Sequence, residues 1–277
     1  MLFSLLPNCV TRHGQVNLEQ DHAITRAEMD RSAVPLRHLV SSGRTLAYRQ
    51  VDGRAPAILF LPGYMSDMTG TKALALEAWA VANGRAFRRF DYGGCGESPG
   101  DFEAQSLADW RDDTIAMIDG LAPAPVVLVG SSMGGWLMLL AALARPERVA
   151  AVIGIAAAPD FTDWSFGAEE KATIIHDGRL VQPTPYGEQP YVTTRTFWES
   201  GEGQKLLDGE IALDCPVRLM HGQQDPDVPH SVSLRIAECL RSADVQTILI
   251  KDGDHRLSRA QDIALLIATT SQLLDSL

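Results

Sequence analysis

The chain has 277 residues, 45% hydrophobic and 21% charged, the proportions of a soluble globular protein with room for one large interior. Its formal net charge of −11, spread without blocks of like charge, argues against nucleic acid or an anionic membrane as a partner. Four scattered cysteines, Cys9, Cys95, Cys215 and Cys239, have neither disulfide nor metal spacing and read as free thiols of a cytoplasmic chain.

Residues 1–33 read as an N-terminal extension to a domain spanning 34–277. The opening run Met1-Leu2-Phe3-Ser4-Leu5-Leu6-Pro7 is too short for a signal peptide and lacks a basic start. Glu19, Asp21, Glu28 and Asp30 argue against an organelle transit peptide, and no stretch approaches a membrane span. Strands are then expected at Leu36–Val40 and Thr45–Val51, joined by a Ser41-Ser42-Gly43 turn. A buried strand at Ala57–Leu61 leads through Pro62-Gly63 to a helix from Thr71 to Asn83, with Gly84 as its C-terminal cap. Another strand ends at Phe90-Asp91.

Ser106, followed three residues later by Asp109, signals a helix start. Leu107, Trp110, Thr114, Met117, Ile118 and Leu121 keep its apolar period. The strand Val126–Val129 follows. The helix from Trp136 to Arg145 is apolar on all sides and should be deeply buried. Ala150–Ala156 forms a further strand. From about 160 to 213 the alternation breaks: no strand is evident, and Trp164, Phe166, Tyr186, Tyr191, Phe197 and Trp198 are concentrated there. Strands at Val217–His221 and Val245–Ile250, with helices near Ser231–Leu240 and Arg259–Leu274, restore it. Alternating strands and helices mark an α/β fold with a mostly parallel sheet. The interruption is an insertion at the ligand-binding edge of that sheet.

Gly130-Ser131-Ser132-Met133-Gly134 is a G-x-S-x-G segment at a strand-to-helix turn. A sharp turn that exposes a serine hydroxyl crowds the flanking backbone, so small residues must sit two positions either side. Ser132 meets that condition. Ser131 does not, because Val129 and Met133 flank it. A serine needs a base. His255, in the loop Lys251-Asp252-Gly253-Asp254-His255 after the last strand, is the candidate. Asp225 is the preferred acid to orient it, with Asp227 as rival. His221 reads as a packed, hydrogen-bonded residue and His230 as a surface one. Two backbone N–H groups would hold the oxyanion, from Met133 at the helix start and from Tyr64 in Pro62-Gly63-Tyr64-Met65-Ser66. Cys95 has no motif of a cysteine enzyme around it. No metal cluster or phosphate loop is present, so no cofactor is expected.

These parts resemble the α/β-hydrolase superfamily, which implies an eight-stranded, mostly parallel sheet flanked by helices, with a short cap. Longer stretches resemble the α/β-hydrolase domain-containing protein ten family: Leu61-Pro62-Gly63-Tyr64-Met65-Ser66, Gly70-Thr71-Lys72-Ala73-Leu74-Ala75, Arg89-Phe90-Asp91-Tyr92, Trp136-Leu137-Met138-Leu139, Arg218-Leu219-Met220-His221-Gly222 and Asp254-His255-Arg256. The resemblance implies a serine esterase or thioesterase with Ser132, Asp225 and His255 as its triad. Its substrate would be a small-molecule ester or thioester, or an acylated protein. Trp164, Phe166 and Trp198 are the expected apolar pocket, with the insertion's own core as the plainer reading. Lys171, Arg179, Arg195 and Lys205 could meet an anionic leaving group, or simply be solvated. A non-catalytic ligand receptor, and a carbon–carbon hydrolase or peptidase with the same triad, are the alternatives. Dehalogenases and epoxide hydrolases place an aspartate where Ser132 stands.

Overall fold

A computed structural model describes residues 34–120, 124–184 and 189–277. The extension 1–33, Leu121 and Tyr186 lie outside them. The chain begins with an antiparallel pair, β1 (Leu36–Ser41) and β2 (Arg44–Val51), in the register Ser41↔Arg44. Ser42 and Gly43, both at positive φ (50° and 80°), form the two-residue turn that matches strand twist.

Six further strands complete one sheet: β3 (Arg54–Leu61), β4 (Arg85–Phe90), β5 (Val126–Ser131), β6 (Val149–Ile155), β9 (Val217–Gly222) and β10 (Val245–Ile250). The order is β1-β2-β4-β3-β5-β6-β9-β10, antiparallel at the β1 and β2 pairings and parallel from β4 to β10. The central strands are buried on both faces, which is why they read as unbroken apolar runs. Their side chains alternate between two cores. Leu59, Leu61, Val126 and Leu128 pack with α2 (Leu107–Asp119), α3 (Met133–Ala144) and α7 (Ser231–Cys239). Ile58, Phe60, Val127 and Val129 pack with α1 (Thr71–Asn83) and α8 (Ala260–Ser276).

Local signals in the sequence explain the helix ends. Gly84 takes the left-handed conformation at the end of α1, and Ser106 with Asp109 forms a capping box at the start of α2. Helix α3 buries nine of its residues, Met133 to Leu139 together with Ala141 and Ala142.

Between β6 and β9 lies the cap segment: α4 (Phe161–Trp164), α5 (Ala168–Asp177), β7 (Arg179–Gln182), β8 (Tyr191–Thr194) and α6 (Arg195–Glu202). The expectation that this segment lacks strands is wrong. β7 and β8 pair antiparallel in the register Val181↔Val192. Each is four residues long, too short for a pattern to stand out from a loop.

Candidate active site

Strand β5 delivers the candidate nucleophile and α3 starts immediately after it. Ser132 stands between them at φ 55°, ψ −121°, a conformation sparsely populated by residues other than glycine. Three backbone bonds hold it there: Ser132 N–H to Ile155 O (2.9 Å), and the N–H groups of Gly135 and Ala158 to Ser132 O (2.8 and 3.1 Å). The two glycines of the motif are where backbones touch. A Cβ on Gly130 would meet Gly134 O at 2.3 Å, and one on Gly134 would meet Leu61 O at 2.2 Å. No side chain fits either position.

The structure brings Ser132, His255 and Asp225 together. His255 Nε2 lies 3.1 Å from Ser132 Oγ, and His255 Nδ1 lies 2.8 Å from Asp225 Oδ2. A carboxylate only accepts, so Nδ1 carries the proton and Nε2 is the lone pair that faces the serine hydroxyl. Two backbone bonds bring the acid and base loops side by side: Gln223 N–H to Ile250 O (2.8 Å) and Gln224 N–H to Gly253 O (2.9 Å). Asp227, the rival acid, donates its own N–H to Asp225 Oδ1 (2.8 Å). One ligand atom each from Asp225, Asp227 and His255 lie within 4.8 Å of one another, but Asp225 and His255 are engaged with each other.

His221 is buried, as its sequence context suggested, and it also has a role that context did not show. Its Nε2 faces two acceptors, Val228 O (2.9 Å) and Asp225 Oδ2 (3.2 Å), and its Nδ1 meets Ser233 Oγ (2.7 Å). Asp225 is thus held by a second histidine. Burial pushes the Asp225 carboxyl up. Hydrogen bonds from His221 and His255, the His255 charge and the Val228 N–H outweigh it and leave the group well below the usual carboxylate range.

The loop after β3 passes directly over the nucleophile. A Cβ at Gly63 would lie 3.3 Å from Ser132 Cβ, so only a bare backbone comes this close. The Met133 N–H stands at the first position of α3, where no intrahelical acceptor exists. The loop is tied below by Tyr92 Oη, which donates to Pro62 O (3.2 Å). Further along, Met68 is gripped at both ends of its backbone. Its N–H donates to Asp91 Oδ1 (2.6 Å) and its carbonyl accepts from Arg89 Nη1 (3.0 Å). Arg89 in turn forms a buried two-point ion pair with Glu77 (2.8 and 3.0 Å). Lys72 Nζ donates to Arg256 O (2.5 Å), fastening the start of α1 to the loop that carries His255.

The side chain of Tyr64 is the hub of an aromatic cluster. It contacts Phe102, Trp110, Phe161, Tyr191 and Phe197 at centroid distances of 4.9 to 6.2 Å. The three residues expected to line a pocket have structural partners of their own. Trp164 Nε1 donates to Pro159 O (2.8 Å), Trp198 Nε1 donates to Thr162 O (3.0 Å), and Phe166 packs on Phe161. The four cations once open to an anionic leaving group are each paired. Lys171 and Lys205 face Asp163, Arg179 faces Glu103 and Arg195 faces Glu199. Cys95 is buried beside the acidic residues Asp91, Asp113 and Asp67. Burial first, and then their charge, push its thiol up to about 12, the opposite of an activated nucleophile.

Comparison with known proteins places this site in context. A family model described as serine aminopeptidase, S33, matches residues 54–174. The human palmitoyl-protein thioesterase ABHD10, mitochondrial, is 44% identical over 236 residues, which cover 84% of this chain and 77% of that protein. The solved mouse α/β-hydrolase domain-containing protein 10 superposes with a TM-score of 0.82 at 42% identity, covering 87% of this chain and 99% of that one. A hydrolase structure from Agrobacterium vitis gives a TM-score of 0.81 at 34% identity, covering 87% and 98%. The human, orangutan and mouse relatives are all named as mitochondrial, which overturns the cytoplasmic expectation. Free thiols report a reducing compartment and do not say which one.

Proposed function

Because the chain belongs to the ABHD10 family of α/β-hydrolases, we propose that it is a serine thioesterase and esterase whose substrates carry an apolar acyl group, S-acylated proteins among them. The observation that supports this most is the unbroken hydrogen-bonded line from Ser132 Oγ through His255 to Asp225. In this reading Ser132 Oγ attacks the carbonyl carbon while His255 Nε2 takes its proton. The Met133 and Tyr64 N–H groups receive the oxyanion. His255 then passes the proton to the departing thiolate or alkoxide, and the bond to the leaving group breaks. Water enters, gives a proton to Nε2 and attacks the acyl carbonyl; the bond from Ser132 Oγ to the acyl carbon then breaks, Oγ takes the proton back from Nε2, and the acid leaves. Asp225 stays ionised throughout and stabilises the imidazolium. The relatives' name supports the thioester class and a mitochondrial location.

The test uses short-chain p-nitrophenyl esters and a palmitoylated peptide thioester. Wild type should turn over both, and Ser132→Ala should lose about 10³-fold or more in kcat. Undiminished turnover by Ser132→Ala sinks the reading. Labelling of Ser132 by a fluorophosphonate separates an enzyme from a receptor on the same fold, whose unactivated serine would stay unlabelled. The serine aminopeptidase description of the matching family model favours a peptidase as the second reading. It requires cleavage of aminoacyl p-nitroanilides at rates comparable to the esters.

A further inference from the structure

The loop that crosses Ser132 is fastened from two sides. The core holds it at Pro62 O through Tyr92, and at Met68 through Asp91 and Arg89. The span between those anchors contains Tyr64 and Met65, and Met65 sits at φ 50°, outside its comfortable range. In that span the polar ties to the cap come from strand β8, from Val192 and from its neighbour Thr193, whose side chain hydrogen-bonds the Tyr64 hydroxyl. Tyr64 Oη donates to Val192 O (2.5 Å), and the Val192 N–H donates to Met65 Sδ (3.5 Å). These contacts join positions 127 and 128 residues apart.

On the serine-hydrolase reading, we infer that cap strand β8 holds the oxyanion loop through the side chain of Tyr64, so that the Tyr64 phenol is a positioning residue for acyl transfer. An oxyanion donor acts by being in place before charge develops. A backbone N–H is only as well placed as its peptide plane, and that plane is fixed by the residue's own side chain when the side chain is locked. Here the ring is wedged among five aromatic neighbours and its hydroxyl is bonded to a strand. Burial pushes the phenol well above its ordinary range, which keeps it a neutral donor at neutral pH. The cap thereby contributes to the reaction rate as well as covering the site.

Tyr64→Phe removes one oxygen and keeps every ring contact. The expected result is a fall in kcat of about tenfold to a hundredfold on p-nitrophenyl butyrate with KM unchanged. Affinity for an alkyl boronic acid, whose tetrahedral adduct presents an oxygen to the same donors, should weaken by a similar factor. Met65→Leu, which removes the sulfur acceptor and keeps an apolar side chain of similar volume, should show the same pattern to a smaller extent and gives an independent reading if Tyr64→Phe folds poorly. Thr194→Val removes a bond inside the cap, from Phe197 N–H to Thr194 Oγ1 (3.1 Å), without touching the loop, and should match wild type. Wild-type kcat and boronic acid affinity in Tyr64→Phe overturn the inference and leave the esterase reading standing. So does an equal fall in Thr194→Val, which would mean the cap acts through its stability alone. An inactive wild type overturns both.

Discussion

At Asp225 one carboxylate serves two histidines and two backbone donors. Oδ1 accepts from the N–H groups of Asp227 and Val228 (2.8 and 2.9 Å), and Oδ2 faces His255 and His221. Each oxygen has a fixed duty, so exchanging one for NH₂ has a definite consequence. In Asp225→Asn the carbonyl oxygen keeps the two backbone donors, and the amide nitrogen must then face the rings. It donates to His255 Nδ1, the ring proton moves to Nε2, and the nitrogen facing Ser132 can no longer accept. We expect kcat to fall by roughly 10⁴-fold in ester hydrolysis, and the thermal midpoint at neutral pH to drop as well, because a carboxyl held well below its ordinary range stabilises the fold once ionised. The sequence pointed to Asp225 over Asp227 because it comes sooner after a strand. It could not show His221 as a second donor, because that contact depends on a chain reversal between residues 222 and 228 that carries no periodic signal.

At the scale of elements, Asp91 joins β4 to the two loops that flank the site. It accepts from Met68 N–H (2.6 Å) on one side and from Glu97 N–H (2.8 Å) on the other. Burial pushes its carboxyl up to about 6, against the pull of those two donors. Both folded and unfolded chains hold the proton below about 3.8, and between there and about 6 only the folded chain does. The folded state therefore binds more protons in that window, and stability falls as pH rises through it, by on the order of 2–3 kcal/mol at most for this group. Asp91→Asn should flatten the slope of unfolding free energy between about pH 4 and 6. An unchanged slope would assign the pH dependence to other carboxyls. The regular elements themselves were legible from the chain, and β10 and α1 match to the residue. The pair β7 and β8 was not, since four-residue strands depend on each other and not on a pattern within either.

For the molecule as a whole, an aromatic cluster spans the junction between core and cap. Phe197 of α6 is buried at 1% exposure and touches Tyr64, Trp110 and Phe161. Phe197→Ala should cost about 3–5 kcal/mol of stability, and calorimetry would check it. On the proposed mechanism activity should fall along with stability, because the space left beside Tyr64 lets the loop after β3 move. A variant that loses stability but keeps full kcat would show that the loop does not depend on the cluster. The insertion's aromatic residues were visible in the sequence as a concentration, with Trp164, Phe166 and Trp198 expected to line a pocket or to form the insertion's own core. Three of them, Tyr191, Phe197 and Phe166, join the ring cluster, and the two tryptophans hold the cap's own backbone through their indole N–H groups.

The sequence by itself determined the order of strands and helices outside the segment 160–213, the crowded serine turn, and the residue types able to serve as base and acid. Those features are local: apolar period, capping residues, and glycines where two backbones must meet. Only the tertiary structure decided which groups face one another across long separations. It put His221 on Asp225, Val192 on Tyr64, and the insertion's cations on carboxylates. Such contacts depend on where the sheet directs its loops, and a hydrogen-bond partner more than a hundred residues away leaves no mark in the spacing of the chain.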